Sequence, residues 1–152
     1  MLPTELRKSI ESAFNGVKLE EGIGLWQAQA IDDYEEEKEQ LRARSQDEKS
    51  DWTKFDGNEL IRCHSSLSFF DPDGMRFHLP AFMLNDEFRD GMDSLLYLLT
   101  DLDDYVLNMF SSLTAAQRAA VRDYLLWCKD QEDYEFEKED IDKSLREYWL
   151  EN

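Results

Sequence analysis

Apolar residues recur at helical spacing in the first and last thirds of the chain, and this periodicity limits the possible folds more than any other feature. Leu6, Ile10 and Phe14 form one stripe at intervals of four residues, and Val121 and Leu125 begin another. Side chains three or four positions apart share one face of an α-helix. The pattern therefore predicts a mainly α-helical protein.

Helix ends and lengths can be predicted from the same reading. Thr114 followed by Gln117 has the capping-box pattern, in which each side chain bonds the backbone of the other residue. Asp56 is predicted to cap a short helix that runs through Ile61. We expect one continuous helix to run from Trp26 to Leu41, because its apolar residues keep helical spacing.

The spacing of apolar residues changes in the middle of the chain. Apolar residues alternate on both sides of the run Asp71-Pro72-Asp73-Gly74, from residue 67 to residue 79. Alternation is typical of a half-buried strand, and proline second and glycine fourth fit a type I turn. The sequence therefore predicts one small β-hairpin around residues 67–79. The predicted fold class is mainly α (α+β), a helical bundle with this hairpin.

The length of 152 residues suits one compact domain. We expect a single domain, residues 1–152. Whether the acidic C-terminal helix 132–150 belongs to its core or extends from it as a peripheral element is left open.

The chain carries a formal charge of −18, from 35 acidic and 17 basic residues. Such a charge disfavours direct binding to nucleic acid or to an anionic membrane, because contacts to phosphate need clustered Lys and Arg. The sequence has no apolar run long enough to span a bilayer and no secretion signal. We therefore expect a cytoplasmic protein in which Cys63 and Cys128 are reduced.

Residues that could support catalysis, metal binding or cofactor binding are sparse. The chain has two histidines, His64 and His78, and none of the Cys/His spacings typical of zinc. Phosphate-binding and dinucleotide-binding glycine motifs are also missing. We expect no catalytic residues, no metal and no cofactor, and a His78 that faces solvent or a groove. An enzyme remains the alternative, with a small polar site formed by His78, Arg76 and Asp73 beside Cys63.

Two segments combine acidic and aromatic residues. Residues 32–56 and 129–152 together hold 20 of the 35 acidic residues. A purely solvating segment has few aromatics, whereas binding hot spots favour them. We therefore predict partner contacts in a first acidic segment, residues 32–37, and a second acidic segment, residues 134–137. The predicted contact residues are Asp32, Asp33, Tyr34, Glu35, Glu36 and Glu37 in the first, and Tyr134, Glu135, Phe136 and Glu137 in the second.

The central residues 69–81 follow the pattern Phe-x-Asp-Pro-x-Gly-x-Arg-Phe-x-Leu-Pro-Ala. With the run Ile31 to Tyr34 and the later run Leu113 to Gln117, the chain resembles an uncharacterised bacterial family, over most of residues 5–130. This resemblance implies no activity, because the family has no catalytic residues to carry over.

These observations favour a non-enzymatic acidic binding protein. The most concrete form is an immunity protein that binds and neutralises a basic antibacterial toxin, for example a nuclease. The expected partner is a basic protein, either a toxin or a nucleic-acid-binding protein, and the expected state is a monomer or weak homodimer. A structural or adaptor protein that uses the same acidic faces for another partner is a further alternative.

Overall fold

The computed structural model describes residues 1–150, which form a mainly α-helical fold around one hydrophobic core. No β-strand occurs within that range. Each helix is too short or too polar to cross a bilayer. The α-helices are α1 (Thr4–Ala13), α2 (Leu25–Asp32), α3 (Glu37–Gln46), α4 (Gly57–Arg62), α5 (Pro72–Leu84), α6 (Asp86–Gly91), α7 (Ser94–Thr100), α8 (Asp104–Met109), α9 (Ala115–Lys129) and α10 (Lys138–Ser144). Short 3₁₀ helices lie at Trp52–Lys54, His64–Ser68 and Glu132–Glu137, and a π-helical turn lies at Leu145–Trp149.

The predicted β-hairpin around residues 67–79 is wrong. Residues 64–68 form a 3₁₀ helix, and α5 begins at Pro72. The Asp71 carboxylate caps α5 by accepting from the Gly74 N–H at 2.9 Å, and proline is well suited to a first helical position because its missing N–H would be unpaired there. The run read as a turn is thus the start of a helix.

The burial of α5 explains why its helical period is hidden in the sequence. Every residue from Gly74 to Leu84 except Arg76 is buried. A helix enclosed by protein on nearly every side has no polar face, so it loses the amphipathic signature that reveals a surface helix. Pro80 lies inside α5, where it removes one backbone hydrogen bond without ending the helix.

A loop of the N-terminal region packs tightly on the start of α5. The Asp71 carboxylate accepts a second bond from the Ile23 N–H, also at 2.9 Å. A Cβ atom on Gly74 would lie 2.6 Å from the Ile23 carbonyl oxygen, and one on Gly22 would lie 2.6 Å from the Gly74 nitrogen. Only glycine permits this close approach of two backbones.

The predicted continuous helix from Trp26 to Leu41 is two helices. Helix α2 ends at Asp32 and α3 begins at Glu37. The two helices pack on each other. At the start of α2, Asp47 accepts from the N–H groups of Trp26 and Gln27, at 2.8 and 3.1 Å.

The acidic C-terminal helix predicted over residues 132–150 is divided into the 3₁₀ helix Glu132–Glu137, α10 and the π-helical turn Leu145–Trp149, whereas the predicted capping box is confirmed. Thr114 accepts from the Gln117 N–H at 3.1 Å, and the Gln117 side chain accepts from the Thr114 N–H at 3.0 Å. The predicted cap of α4 is also present, where Asp56 accepts from the Glu59 N–H at 2.8 Å. Beyond α10, Trp149 is fully buried and donates to the Leu99 carbonyl at 3.0 Å.

Candidate functional site

The first acidic segment follows the C-terminus of α2, where the chain reverses direction. The Tyr34 N–H bonds the Ile31 carbonyl at 3.1 Å, and the Glu35 N–H bonds the Ala30 carbonyl at 3.0 Å. This is the Schellman arrangement, in which the residue after the cap adopts a left-handed conformation. That residue is usually glycine, but here it is Tyr34, with φ of 58°.

Tyr34 is also the most exposed aromatic side chain of the described residues, at 95%. A left-handed conformation costs a residue with a Cβ roughly 1–2 kcal/mol. The side chain gains no burial in return. The intramolecular contacts of the described structure therefore give no reason for a tyrosine at this position.

In the part of the chain that the structure describes, the acids around Tyr34 have no cationic partner. Asp33, Glu35, Glu36 and Glu37 are exposed and Asp32 is half-buried. Within residues 1–150 none of the five lies within ion-pair distance of a Lys or Arg. Glu37 is in the first turn of α3, where a negative charge complements the helix dipole. The segment therefore presents a concentrated, uncompensated negative charge beside an exposed ring.

The second acidic segment forms most of the 3₁₀ helix that leads into α10. Its two aromatics differ. Phe136 is 94% exposed, whereas Tyr134 is half-buried and its hydroxyl donates to the Arg89 carbonyl at 3.4 Å. Burial raises the pKa of the Tyr134 phenol to about 12. Phe136 thus extends into solvent, whereas Tyr134 packs partly against the protein.

The acids of this segment resemble those of the first. Glu135 is exposed, and neither it nor Glu137 takes part in an ion pair in the described part of the chain. One oxygen of the Glu137 carboxylate is buried and has no hydrogen-bond partner there. Again an exposed ring lies among unpaired carboxylates.

The two segments occupy different helix junctions. The first joins α2 to α3, and the second joins α9 to α10. No hydrogen bond or ion pair connects residues 32–37 with residues 134–137. The two segments therefore share no direct polar contact.

A family model matches residues 3–152, which is nearly the whole chain. The chain belongs to DUF6714, a family of unknown function. Comparison with curated proteins finds no match, and comparison with solved structures finds none either. Membership of DUF6714 therefore adds no activity to what the geometry shows.

The residues of the alternative enzyme site do not form an accessible site in this DUF6714 protein. The prediction that His78 faces solvent or a groove is wrong, because the ring is fully buried. Its Nδ1 bonds the Gly74 carbonyl at 2.7 Å, and the ring stacks on Phe70 with centroids 4.3 Å apart. Burial lowers the pKa of His78 to about 3. A substrate in solution cannot reach this imidazole.

Cys63 and Cys128 are both free and buried. Burial raises the pKa of each thiol to about 12. Because the thiolate is the nucleophile, a thiol in this state is inert at neutral pH. Over residues 1–150, no group of three or more His, Cys, Asp or Glu side chains could hold a metal ion.

Sequence reasoning missed a groove between the 3₁₀ helix His64–Ser68, α7 and α8. The four leucines of α7 are buried, but Tyr97 among them is 69% exposed. Tyr105 on α8 is 60% exposed. The available signal was the placement of Tyr97 and Tyr105 near Asp93 and Asp101, the same mixture of aromatics and acids that marked the other segments.

Proposed function

We propose that this protein binds a basic protein partner through its two acidic segments, without enzymatic activity of its own. In its most specific form the proposal is an immunity protein, which neutralises a basic antibacterial toxin such as a nuclease in the cytoplasm of a bacterium. It would act as a monomer or weak homodimer. One observation carries the proposal: Tyr34 and Phe136 are almost fully exposed, at 95% and 94%, and each lies among carboxylates that have no cationic partner within residues 1–150.

The aromatic side chains provide the apolar part of such a contact. Tyrosine and other aromatics contribute large contact areas at low cost in conformational entropy, so they are frequent in binding hot spots. Tyr34 is held by the Schellman turn, whose two backbone hydrogen bonds fix the direction in which the side chain leaves the surface. Such a preset direction reduces the ordering cost of binding.

The carboxylates provide attraction and specificity. The net charge of −18 favours encounter with a positively charged protein, and such steering raises association rates roughly 10- to 1000-fold at low salt. In this proposal the carboxylates of residues 32–37 and 134–137 pair with Lys and Arg of the partner. The same charge repels nucleic acid, so competition with DNA would occur at the partner's surface.

The first test identifies the partner. The full chain, tagged and expressed in its native host, is captured from lysate at 0.05 M and 0.5 M salt, and the bound proteins are identified by mass spectrometry. We expect a basic protein that is lost at the higher salt. Expression of that protein alone should arrest growth, and co-expression of the acidic chain should restore it. Salt-dependent capture of a basic protein that is not toxic would support the basic partner and contradict the immunity role.

The second test locates the contact. We expect the triple variant Glu35→Gln, Glu36→Gln, Glu37→Gln to bind the captured partner about tenfold more weakly, which corresponds to about 1.4 kcal/mol. The matched control is Glu5→Gln, Glu11→Gln, Glu21→Gln, which removes the same charge from three exposed positions. We expect the control to stay within about twofold of the wild type. Equal losses in the two triple variants would mean that net charge, and not the first acidic segment, determines binding.

A further inference from the structure

The groove between the 3₁₀ helix His64–Ser68, α7 and α8 has a volume of about 450 Å³. This volume lies within the range typical of sites that hold a side chain or a small ligand. The groove contains no residue of the two acidic segments. It is therefore a separate candidate for binding.

The groove has an apolar floor with polar edges. Leu98 and Met109 are buried beneath it and Val106 is half-buried beside them. Tyr97 and Tyr105 line it and remain 69% and 60% exposed. The Tyr105 hydroxyl donates to the Ser68 carbonyl at 2.7 Å, which holds this ring in place with much of its surface uncovered.

The charge on the groove has one sign. Its lining contains the exposed carboxylates of Asp93 and Asp101 and no Lys or Arg. Neither acid belongs to an ion pair within the described range. A hydrogen bond to the Asp101 carboxylate, together with the charge of that carboxylate, raises the pKa of the Tyr97 phenol.

Capping hydrogen bonds do not account for these two acids. Asp101 lies at the C-cap of α7, where a negative charge opposes the helix dipole. Asp93 lies at the N-cap, where its charge complements the helix dipole, but its side chain makes no capping hydrogen bond. By contrast, Asp103 at the start of α8 caps its helix by accepting from the Val106 N–H at 2.9 Å.

We propose that this groove docks a partner segment in which apolar residues alternate with Lys or Arg. The apolar side chains would lie on Leu98, Val106 and Met109, and the cationic groups would meet Asp93 and Asp101. The exposed faces of Tyr97 and Tyr105 suit the same occupant, because aromatic rings attract Lys and Arg cations. Charge complementarity thus selects a cationic segment over an acidic or purely apolar one.

The inference goes beyond the proposed function, because it concerns a surface outside residues 32–37 and 134–137. Its test uses a synthetic probe, so it does not depend on the natural partner. The probe is the acetylated and amidated peptide Leu-Lys-Leu-Lys-Leu-Lys, titrated at 0.15 M salt into the ¹⁵N-labelled full chain and followed by NMR. Two control peptides replace all leucines with serine or all lysines with glutamate.

We expect saturable shifts at the backbone amides of α7, α8 and residues 64–68, with both control peptides at least tenfold weaker. Two protein variants then test the assignment. Asp93→Asn with Asp101→Asn should weaken binding about fivefold, from two surface charge pairs, and Tyr97→Ser should weaken it about threefold. The matched control Glu5→Gln with Glu21→Gln removes the same charge from exposed positions outside the groove and both acidic segments, and it should change affinity less than twofold.

Thermal unfolding of each variant verifies that the fold is retained, and Tyr97 and Asp101 are exposed enough for this to be expected. Several outcomes would overturn the inference. These are no saturable binding at millimolar peptide, equal binding by the serine–lysine peptide, and equal weakening by the groove and control variants. Groove resonances that shift with protein concentration alone would overturn it as well, because they would identify a second copy of this chain as the occupant.

Discussion

At the start of α5, the single carboxylate of Asp71 accepts from two backbone N–H groups, and His78 bonds the Gly74 carbonyl one turn later. In the first acidic segment, five carboxylates surround one tyrosine and none has a cationic partner in the described structure. Both regions are polar turns at a helix end. The first uses its polar groups to hold two parts of the chain together, and the second directs them to solvent.

The contrast separates the acids that the fold needs from those that it does not. Asp47 satisfies two backbone donors of another part of the chain, and Asp71 satisfies one such donor and one in the first turn of its own helix. A buried or partly buried carboxylate with such bonds is costly to remove, because the donors stay behind without partners. Most of the remaining acids are surface charges, whose number exceeds what the fold requires.

The largest expected effect concerns pH and His78. Its pKa is about 3 in the folded protein and 6.5 in the unfolded chain, so the unfolded state binds more protons between these values. The contribution of His78 to the free energy of unfolding is therefore complete above pH 6.5. It falls by about 1.4 kcal/mol per pH unit as the pH drops toward 3. Urea unfolding at several pH values should show this slope in the wild type and lose it in His78→Phe.

The matched variant His64→Gln alters the other histidine, which is half-buried. We expect it to retain the wild-type slope. If His78→Phe kept the slope as well, the acid sensitivity would come from the carboxylates and the buried-histidine account would be wrong.

The second effect concerns Asp71 itself. We expect Asp71→Ala to lower the free energy of unfolding by about 2–3 kcal/mol, because the N–H groups of Ile23 and Gly74 lose a charged acceptor. Asp32→Ala, in the first acidic segment, should change it by less than about 0.5 kcal/mol. Denaturant unfolding at pH 7 measures both. Equal losses would erase the contrast between the two regions.

The third effect has the opposite sign. Tyr34→Gly should stabilise the protein by about 1 kcal/mol, because glycine adopts the left-handed conformation without the Cβ clash. Glu20 is the matched control, since it also has a positive φ, of 55°. We expect Glu20→Gly to stabilise the protein similarly, while Tyr34→Gly alone weakens binding of the captured partner. A loss of stability in Tyr34→Gly would show that the tyrosine supports the fold.

The smallest effect concerns Phe136. Phe136→Ser removes a whole aromatic ring, but the ring is 94% exposed. The free energy of unfolding, measured by thermal unfolding, should therefore change by less than about 0.5 kcal/mol. Phe110→Ala deletes a fully buried ring and should cost about 3–5 kcal/mol. A marked destabilisation by Phe136→Ser would mean that the second acidic segment packs on the protein in solution.

The sequence by itself determined features that depend on residues a few positions apart. The stripe of α1, the Asp56 cap and the Thr114–Gln117 capping box are examples, because each is a contact within one or two helical turns. Composition likewise determined the charge and the acidic segments. The sequence places acids beside Tyr34 and Phe136, and the structure adds that both rings are exposed.

Tertiary structure alone decided the rest. Residues 67–79 alternate in a way that suits a strand, but burial of α5 on nearly every side leaves it without a continuous polar face and hides the helical period. His78 is enclosed by Phe55, Phe70 and Phe77, of which Phe55 and Phe70 come from outside α5. The groove beside Tyr97 requires α8 and the His64–Ser68 helix to meet α7. Such contacts join residues far apart in the chain, and no local pattern records them.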